Sequence, residues 1–297
     1  MDTRKELALK FFASQIRLET FRQVANLGFG HLPGSLSVAD LLAVLYGSKM
    51  NIRPEEPNWP ERDIMVMSKG HAGPAVYSTL ALKGYFPMSW LSTLNKPGTR
   101  LPSHCDRLLT PGVDMTAGSL GQGISAGLGL ALAQKVKGID AKTYIIVGDG
   151  ECNEGEVWEA FLFAPQRKLD NVIVFIDRNL KQLDGTTAEV LALGDMAAKL
   201  EAFGWHTQTI NGQDVLAISE AIDAAHTVKD RPSAIVMNTI KGAGVKELEE
   251  MEINHHIRLS PDMSERGMKV LEEAHAALAE VLRENNITPI PTALDRE

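Results

Sequence analysis

Cysteine is nearly absent: Cys105 and Cys152 are the two in 297 residues. That is too few for a disulfide framework, and it leaves no cysteine zinc site. A reducing compartment suits such a chain, so a cytoplasmic location is expected. A basic excess is missing too. Thirty Lys and Arg against 38 Asp and Glu leave a formal net charge of -8, with no dense basic cluster. Nucleic acid and anionic membrane are therefore not expected as partners, since both reward a basic face. No apolar run approaches the roughly 18 residues needed to span a bilayer. The first residues carry Asp2 and Glu6 and lack the apolar core of a signal peptide. Internal repeats, low-complexity tracts and a linker able to split the chain are also wanting. What remains is 44% hydrophobic and 23% charged residues, enough to bury a sizeable core.

Short runs rich in Val, Ile, Thr and aromatics alternate with stretches of helical period. Strands are predicted at Ile64–Ser68, Tyr144–Val147, Val172–Asp177, His206–Ile210 and Ala234–Ile240. They lack strict apolar–polar alternation, which predicts burial on both faces. Helices are predicted at Thr3–Ala25, Ser37–Leu45, Ala75–Lys83, Gln122–Lys135, Glu156–Arg167, Val215–Lys229 and Pro261–Arg283. Ser37 with Asp40 has the form of a capping box, and Gln213 or Asp214 precedes another helix. Such alternation implies one α/β domain, a parallel sheet with helices on both faces. Its span is 1–297, the last helix forming a C-terminal extension.

Sheets of this kind bind ligands beyond the carboxyl ends of their strands. Unusual chemistry follows several of them: Lys69-Gly70-His71-Ala72-Gly73, Gly148-Asp149-Gly150, Arg178-Asn179, and Lys241-Gly242-Ala243-Gly244 leading to His255-His256. Asp-Gly alone is common turn chemistry. Here Asn179 follows Gly150 after 28 intervening residues, room for one helix and one strand. A carboxylate and an amide oxygen are thus set at the ends of plausibly neighbouring strands, an oxygen pair that suits Mg²⁺. Glu151, Glu154 and Glu156 open the next helix, where acids favour the dipole. They also make that helix start a poor host for a bare diphosphate, a conflict that a divalent cation resolves.

Gly121-Gln122-Gly123-Ile124-Ser125-Ala126-Gly127 is spaced wrongly for a dinucleotide fingerprint and has no clear strand leading into it. It reads better as a helix whose Gly123, Ala126, Gly127, Gly129, Ala131 and Ala133 permit close packing. Glycines in a helix cost up to ~1 kcal/mol each against alanine, so a compensating contact is required. A subunit interface on this helix is the expectation, and a bulky residue in place of Gly127 is expected to block assembly.

Gly148-Asp149-Gly150, the 28-residue gap and Asp177-Arg178-Asn179 resemble the thiamine diphosphate motif. The flanking segments resemble transketolase in particular: Gly30-His31-Leu32-Pro33-Gly34-Ser35-Leu36-Ser37, Ser68-Lys69-Gly70-His71-Ala72, Thr116-Ala117-Gly118-Ser119-Leu120-Gly121-Gln122-Gly123, and Glu154-Gly155-Glu156-Val157-Trp158-Glu159-Ala160. The match runs from about Glu6 to about His256 and covers the diphosphate-binding third of the family architecture. The resemblance therefore implies a thiamine diphosphate-binding (PP) domain, the N-terminal subunit of a split transketolase. Its partner is expected to be a C-terminal subunit with the pyrimidine-binding domain, in an α₂β₂ heterotetramer. The implied reaction moves a two-carbon ketol unit from a ketose or ketose phosphate to an aldose or other aldehyde.

By the same resemblance Asp149 and Asn179 hold Mg²⁺ through side chains, and Lys181 through its carbonyl. His71, Gly118, Ser119, Leu120, Gly150, Glu154, Asn179 and His255 lie along the cofactor, with Glu154 at the subunit contact. His31, His71, His104 and His255 surround the reacting carbon, where imidazoles bind hydroxyls and move protons. His256 could share or exchange a role with His255. His206, His226 and His275 lack motif context and are expected to be structural.

Several positions depart from the family pattern. Leu180 stands where glycine is usual, Cys105 where proline is common, and Asn254 where tryptophan precedes the histidine. The segment from Ala243 lacks the usual lysine and Phe-Met-Glu stretch. These departures bear on the sugar more than on the cofactor. The competing readings are the α subunit of a thiamine-dependent 2-oxo acid dehydrogenase and a non-catalytic thiamine diphosphate-binding protein. A deoxyxylulose-phosphate synthase would normally carry all domains on one chain.

Overall fold

The computed structural model describes residues 1–295; the expected span 1–297 ends on two residues outside them. α1 (Thr3–Leu27) begins where the Asp2 carboxylate accepts the Lys5 amide and ends where Gly28 turns left-handed at φ 84°. Then come β1 (Phe29–Gly30), α2 (Leu32–Leu36), α3 (Ala39–Val44) and β2 (Ile64–Met67). α4 (Gly73–Lys83), α5 (Gln122–Val136), β3 (Thr143–Gly148), α6 (Gly155–Gln166) and β4 (Val172–Arg178) follow. A small ribbon, β5 (Lys181–Gln182) with β6 (Gly185–Thr186), leads into α7 (Thr187–Leu191) and α8 (Met196–Ala202). β7 (His206–Asn211), α9 (Val215–Thr227), β8 (Ser233–Asn238), α10 (Lys246–Glu249), β9 (Ile257–Arg258) and α11 (Pro261–Glu284) complete the order.

The five long strands form one parallel sheet in the order β2-β3-β4-β8-β7. Residues alternate between its faces along each strand. Tyr144, Ile146, Phe175 and Ile235 pack with α1, α3, α4 and α9, joining Phe12, Phe21, Leu41, Tyr77 and Ile218. Ile145, Val147, Val174 and Val236 pack the other way, with Leu128 of α5, Phe161 of α6 and Leu200 of α8. Two apolar faces explain the near-continuous apolar reading of β3, β4 and β8. β7, at the sheet edge, departs from that expectation: Thr209 and Asn211 are exposed. The last strand also stops at Asn238, earlier than expected, because Thr239 and Ile240 turn away to bond Asp177 and Gln213.

Three local expectations fail for identifiable reasons. Ser37 caps nothing: its hydroxyl donates to Asp177 at 2.8 Å and to the Gly34 carbonyl, while Asp40 pairs with Arg17. The expected single helix there splits into α2, α3 and a π-helical turn at Leu45–Lys49. Glu151 does not open α6 but lies in a 3₁₀ turn, and Glu154 takes the N-cap position. Gly127 faces its own sheet: a Cβ there would lie 2.7 Å from Ile145 Cδ1. Its lack of a side chain therefore serves close helix–sheet packing within this chain, while Gly129 on the same helix meets nothing within 4 Å. Asp214 does cap α9, accepting the Leu216 and Ala217 amides.

Candidate active site

The carboxyl ends of β2, β3, β4 and β8 are adjacent, so the segments that follow them converge. At the bottom lies Asp177, fully buried at the end of β4. One of its oxygens accepts from Lys69 Nζ at 2.6 Å, Ser37 Oγ at 2.8 Å and Asn179 Nδ2 at 2.8 Å; the other accepts from Thr239 Oγ1. Burial alone would raise this carboxyl, but Lys69 and the bonds to Lys69, Thr239 and Asn179 hold it below its ordinary range. Lys69 also donates to the Gly34 carbonyl at 2.8 Å, tying the segment after β1 to the sheet. One carboxylate thus fixes groups from four separate chain segments.

Asp149, also buried, sits above this floor. Its oxygens accept the Gly150 amide at 2.9 Å and the Leu180 amide at 2.7 Å. Burial, then the nearby Asp177 charge, push its carboxyl up to about 6. A carboxylate so burdened is one that a cation would relieve. Leu180 adopts φ 64°, the left-handed conformation, to deliver its amide. Asn179 keeps its amide on Asp177, and its Oδ1 accepts the Lys181 amide at 3.2 Å. The Lys181 carbonyl accepts Lys241 Nζ at 2.9 Å. An ammonium thus already stands against a carbonyl expected to ligate metal.

Two residues of this region carry work that the sequence reading did not give them. Glu151, buried, accepts from Ser68 Oγ at 2.5 Å and from the Gly121 and Gly148 amides at 3.0 and 3.1 Å. It joins three loops rather than serving a helix dipole. Lys241 is pushed down to about 8 by burial and then by the Lys69 ammonium. A lysine within three residues of the end of a buried strand is the signal that could have marked both Lys69 and Lys241. Close approach matters here as well: a Cβ on Gly70 would lie 2.1 Å from the Ala117 carbonyl oxygen.

A cleft of about 490 Å³ opens over this floor, with Lys69, His71, Asp149, Asn179, Lys241 and His255 among its walls. Leu120, Gly150, Glu154 and Lys181 line it too. Gly118 and Ser119 instead face a second cavity, of about 540 Å³, together with His104. Glu154 itself is exposed.

Above the cleft the histidines gather around His31. Its ring centroid lies 5.4 Å from His71, 5.3 Å from His104, 5.2 Å from His255 and 4.8 Å from His256. His71 and His255 are 4.7 Å apart. Burial, then the neighbouring His256, His104 and Lys241, bring His31 down to about 4. Burial, then Lys241 and His31, bring His255 down to about 3. Burial lowers His71 and His104 as well, with Lys69 the next cause at His71. At neutral pH these four are uncharged imidazoles, each with one donor and one acceptor nitrogen. The other three are elsewhere: His226 bonds Tyr144, His275 bonds Ser14 and stacks on Phe11, and His206 begins β7.

A crevice at strand ends with a buried acid, two buried lysines and a ring of neutral imidazoles is built for a phosphorylated ligand and proton-handling chemistry beside it. Residues 9–269 match the family model for the transketolase thiamine diphosphate binding domain. The 6-deoxy-6-sulfo-D-fructose transketolase subunit SqwG of Clostridium sp. (strain MSTE9) is 47% identical over 272 residues, 92% of this chain and 99% of that protein. An apulose-4-phosphate transketolase subunit of Phocaeicola vulgatus is 36% identical over 86% of this chain and 90% of its own length. The Pichia stipitis transketolase solved with sedoheptulose 7-phosphate superposes with a TM-score of 0.81 at 30% identity, covering 95% of this chain. This chain spans only 46% of that one. The chain belongs to the transketolase family and carries its thiamine diphosphate-binding, N-terminal part.

Proposed function

We propose that this chain is the cofactor-holding half of a two-chain transketolase that moves a two-carbon ketol unit from a ketose to an aldehyde. The single observation that carries the reading is the continuity of the Asp149–Asn179–Lys241 cleft with the histidines around His31. A diphosphate fits the Lys241 ammonium and the glycine-rich backbone at one end, and a sugar fits the imidazoles at the other. The site residues expected from the sequence are kept: His31, His71, His104 and His255 around the substrate, and Gly118, Ser119, Leu120, Gly150 and Glu154 along the cofactor.

Mg²⁺ belongs to this reading, held by Asp149, Asn179 and the Lys181 carbonyl. Among the described residues no group of three His, Cys, Asp or Glu forms a metal cage. The protein would therefore supply few ligands, as suits Mg²⁺, which usually takes water and phosphate oxygens for the rest. The burdened Asp149 and the ammonium already resting on the Lys181 carbonyl mark where positive charge is wanted. Lys241 would then turn to the diphosphate.

Thiamine diphosphate, when bound, supplies the electron sink for breaking the carbon–carbon bond. The chain's own part is positional and protolytic. Asp177 orients Asn179, and Lys69 neutralises Asp177. The uncharged imidazoles donate to sugar oxygens and accept protons from hydroxyls. An acid to activate the aminopyrimidine and a basic pocket for a terminal anion are left to the second subunit, in an α₂β₂ assembly. The substrates named for the relatives carry a sulfonate or a phosphate, so we take an anionic ketose as the donor. The unit is read as a single domain, and the free, buried Cys105 and Cys152 accord with a cytoplasmic setting. No described helix is long and apolar enough to cross a membrane.

Purifying the chain with the product of an adjacent transketolase-like coding region, then supplying thiamine diphosphate, Mg²⁺ and 6-deoxy-6-sulfo-D-fructose or a pentose phosphate, tests the reading. We expect transfer to an aldehyde by the pair and none by this chain alone. Turnover by the lone chain, or none by the pair with any ketose, overturns it.

A further inference from the structure

His255 and His256 are consecutive, yet their surroundings differ. The His255 ring meets His71 and lies 3.3 Å from Lys241 Nζ, on the diphosphate side. His256 meets Phe29, at 5.8 Å between centroids, and is exposed. The reason lies in a two-stranded ribbon. β1 and β9 pair antiparallel, with Phe29 opposite Arg258 and Gly30 opposite Ile257. One step further that register sets His31 opposite His256, and their rings lie 4.8 Å apart at 78°. His256 directly precedes β9 and His31 directly follows β1, so the ribbon's backbone pairing sets the two rings side by side at its end.

His256, His31, Asn95 and Ser103 line a recess of about 60 Å³ whose remaining wall is apolar, with Val24, Pro74 and Leu94. Among the described residues no protein group hydrogen-bonds the imidazole of His31 or His256. Two imidazoles with unused donors and acceptors therefore share a small recess on the side of His31 away from the diphosphate cleft. A site built to bond a hydroxyl discriminates strongly against an analogue lacking it, because its own polar groups are then left unpaired.

We propose that His256 is a specificity-determining residue that binds a hydroxyl of the sugar chain on the outer side of His31. The inference rests on the ketol-transfer reading above. It gives His256 a task separate from that of His255 and places the hydroxylated tail of the aldehyde or ketose over the β1–β9 ribbon.

The test uses the two-chain complex with thiamine diphosphate, Mg²⁺ and a ketose donor that the wild type accepts. The acceptors are glyceraldehyde and propanal, equal in carbon number and different in hydroxyls. His256→Ala should raise KM for glyceraldehyde about tenfold with kcat within about twofold, and leave propanal transfer unchanged. His256→Gln, which keeps a donor and an acceptor, should recover most of the loss. An equal fall in kcat with both acceptors would mean that His256 only supports His31, and it overturns the proposal. No change with either acceptor overturns it too. A wild-type complex that transfers nothing from any ketose defeats the ketol-transfer reading itself, and the His256 proposal falls with it.

Discussion

Lys69 and Lys241 are buried in the same cleft, 1% and 3% exposed, but their partners differ in kind. Lys69 faces a carboxylate, Asp177, and its charge is answered within the fold. Lys241 rests on a carbonyl and an imidazole nitrogen, with no carboxylate among the described residues in ion-pair contact. The floor of the site is electrostatically complete, while its upper wall carries an ammonium that burial has pushed down to about 8. Buried charge of the first kind organises structure; that of the second is a cost which an anionic ligand can recover.

The largest effect should come from breaking the floor. Lys69→Met leaves Asp177 charged, buried and still bound to Ser37, Asn179 and Thr239. Removing one partner of such a pair costs about 3–5 kcal/mol. A shift of that size in the urea midpoint, with an unchanged slope, is expected. A loss under about 1 kcal/mol would remove the distinction between the two lysines.

Lys241→Met should act in the opposite direction. The fall from 10.5 to about 8 corresponds to a burial cost on the order of 3 kcal/mol. That cost is fully present below pH 8 and vanishes as pH rises toward 10.5. Removing the charge should therefore stabilise the cofactor-free chain at pH 7 by about 1–3 kcal/mol. Thiamine diphosphate affinity, read by calorimetry, should drop at least tenfold. Destabilisation with unchanged affinity would make Lys241 a second structural lysine.

The parallel sheet was legible because β3, β4 and β8 are apolar without alternation, a pattern that two-sided burial imposes. That His71, Asp149 and Asn179 meet in one cleft was legible because each lies just beyond the end of a sheet strand. The roles of Ser37, Asp40 and Glu151 were not. Each lies in a segment with a plausible local use, a cap or a dipole, and each is claimed by a residue distant in sequence: Asp177, Arg17 and Ser68. The packing of Gly127 on the sheet was hidden for the same reason, since nothing in α5 tells which of its small residues meets Ile145. α7 and α8 are too short for their period to show.

The histidine layer belongs with Lys241 rather than with Lys69: its groups are held neutral by burial. His31 and His255 have lowered folded values, about 4 and about 3, so the folded chain resists protonation that the unfolded chain accepts at 6.5. Stability is intact above pH 6.5 and declines as pH falls from there toward 4. Both rings keep solvent contact, so the loss is on the order of 1–2 kcal/mol. Thermal melting of wild type and of His31→Asn across that range should show a flatter curve for the variant. Parallel curves would mean that other groups carry the acid sensitivity.

The smallest effect should arise at the seam between floor and wall. Leu180 spends a left-handed φ of 64° to give its amide to Asp149 at 2.7 Å, and its side chain is 47% exposed. That conformation costs a non-glycine residue about 1–2 kcal/mol. Glycine removes the strain but frees the unfolded chain by about 0.5–1 kcal/mol. Leu180→Gly should thus stabilise the chain by less than about 1 kcal/mol and leave cofactor affinity within about twofold, because the bond to Asp149 is made by backbone. Leu180→Val should do the reverse, since a β-branched side chain tolerates positive φ poorly. If Leu180→Gly leaves the isolated chain unharmed but weakens the proposed two-chain complex, the strain is repaid at the interface, where an exposed leucine beside Asn179 would find its apolar partner.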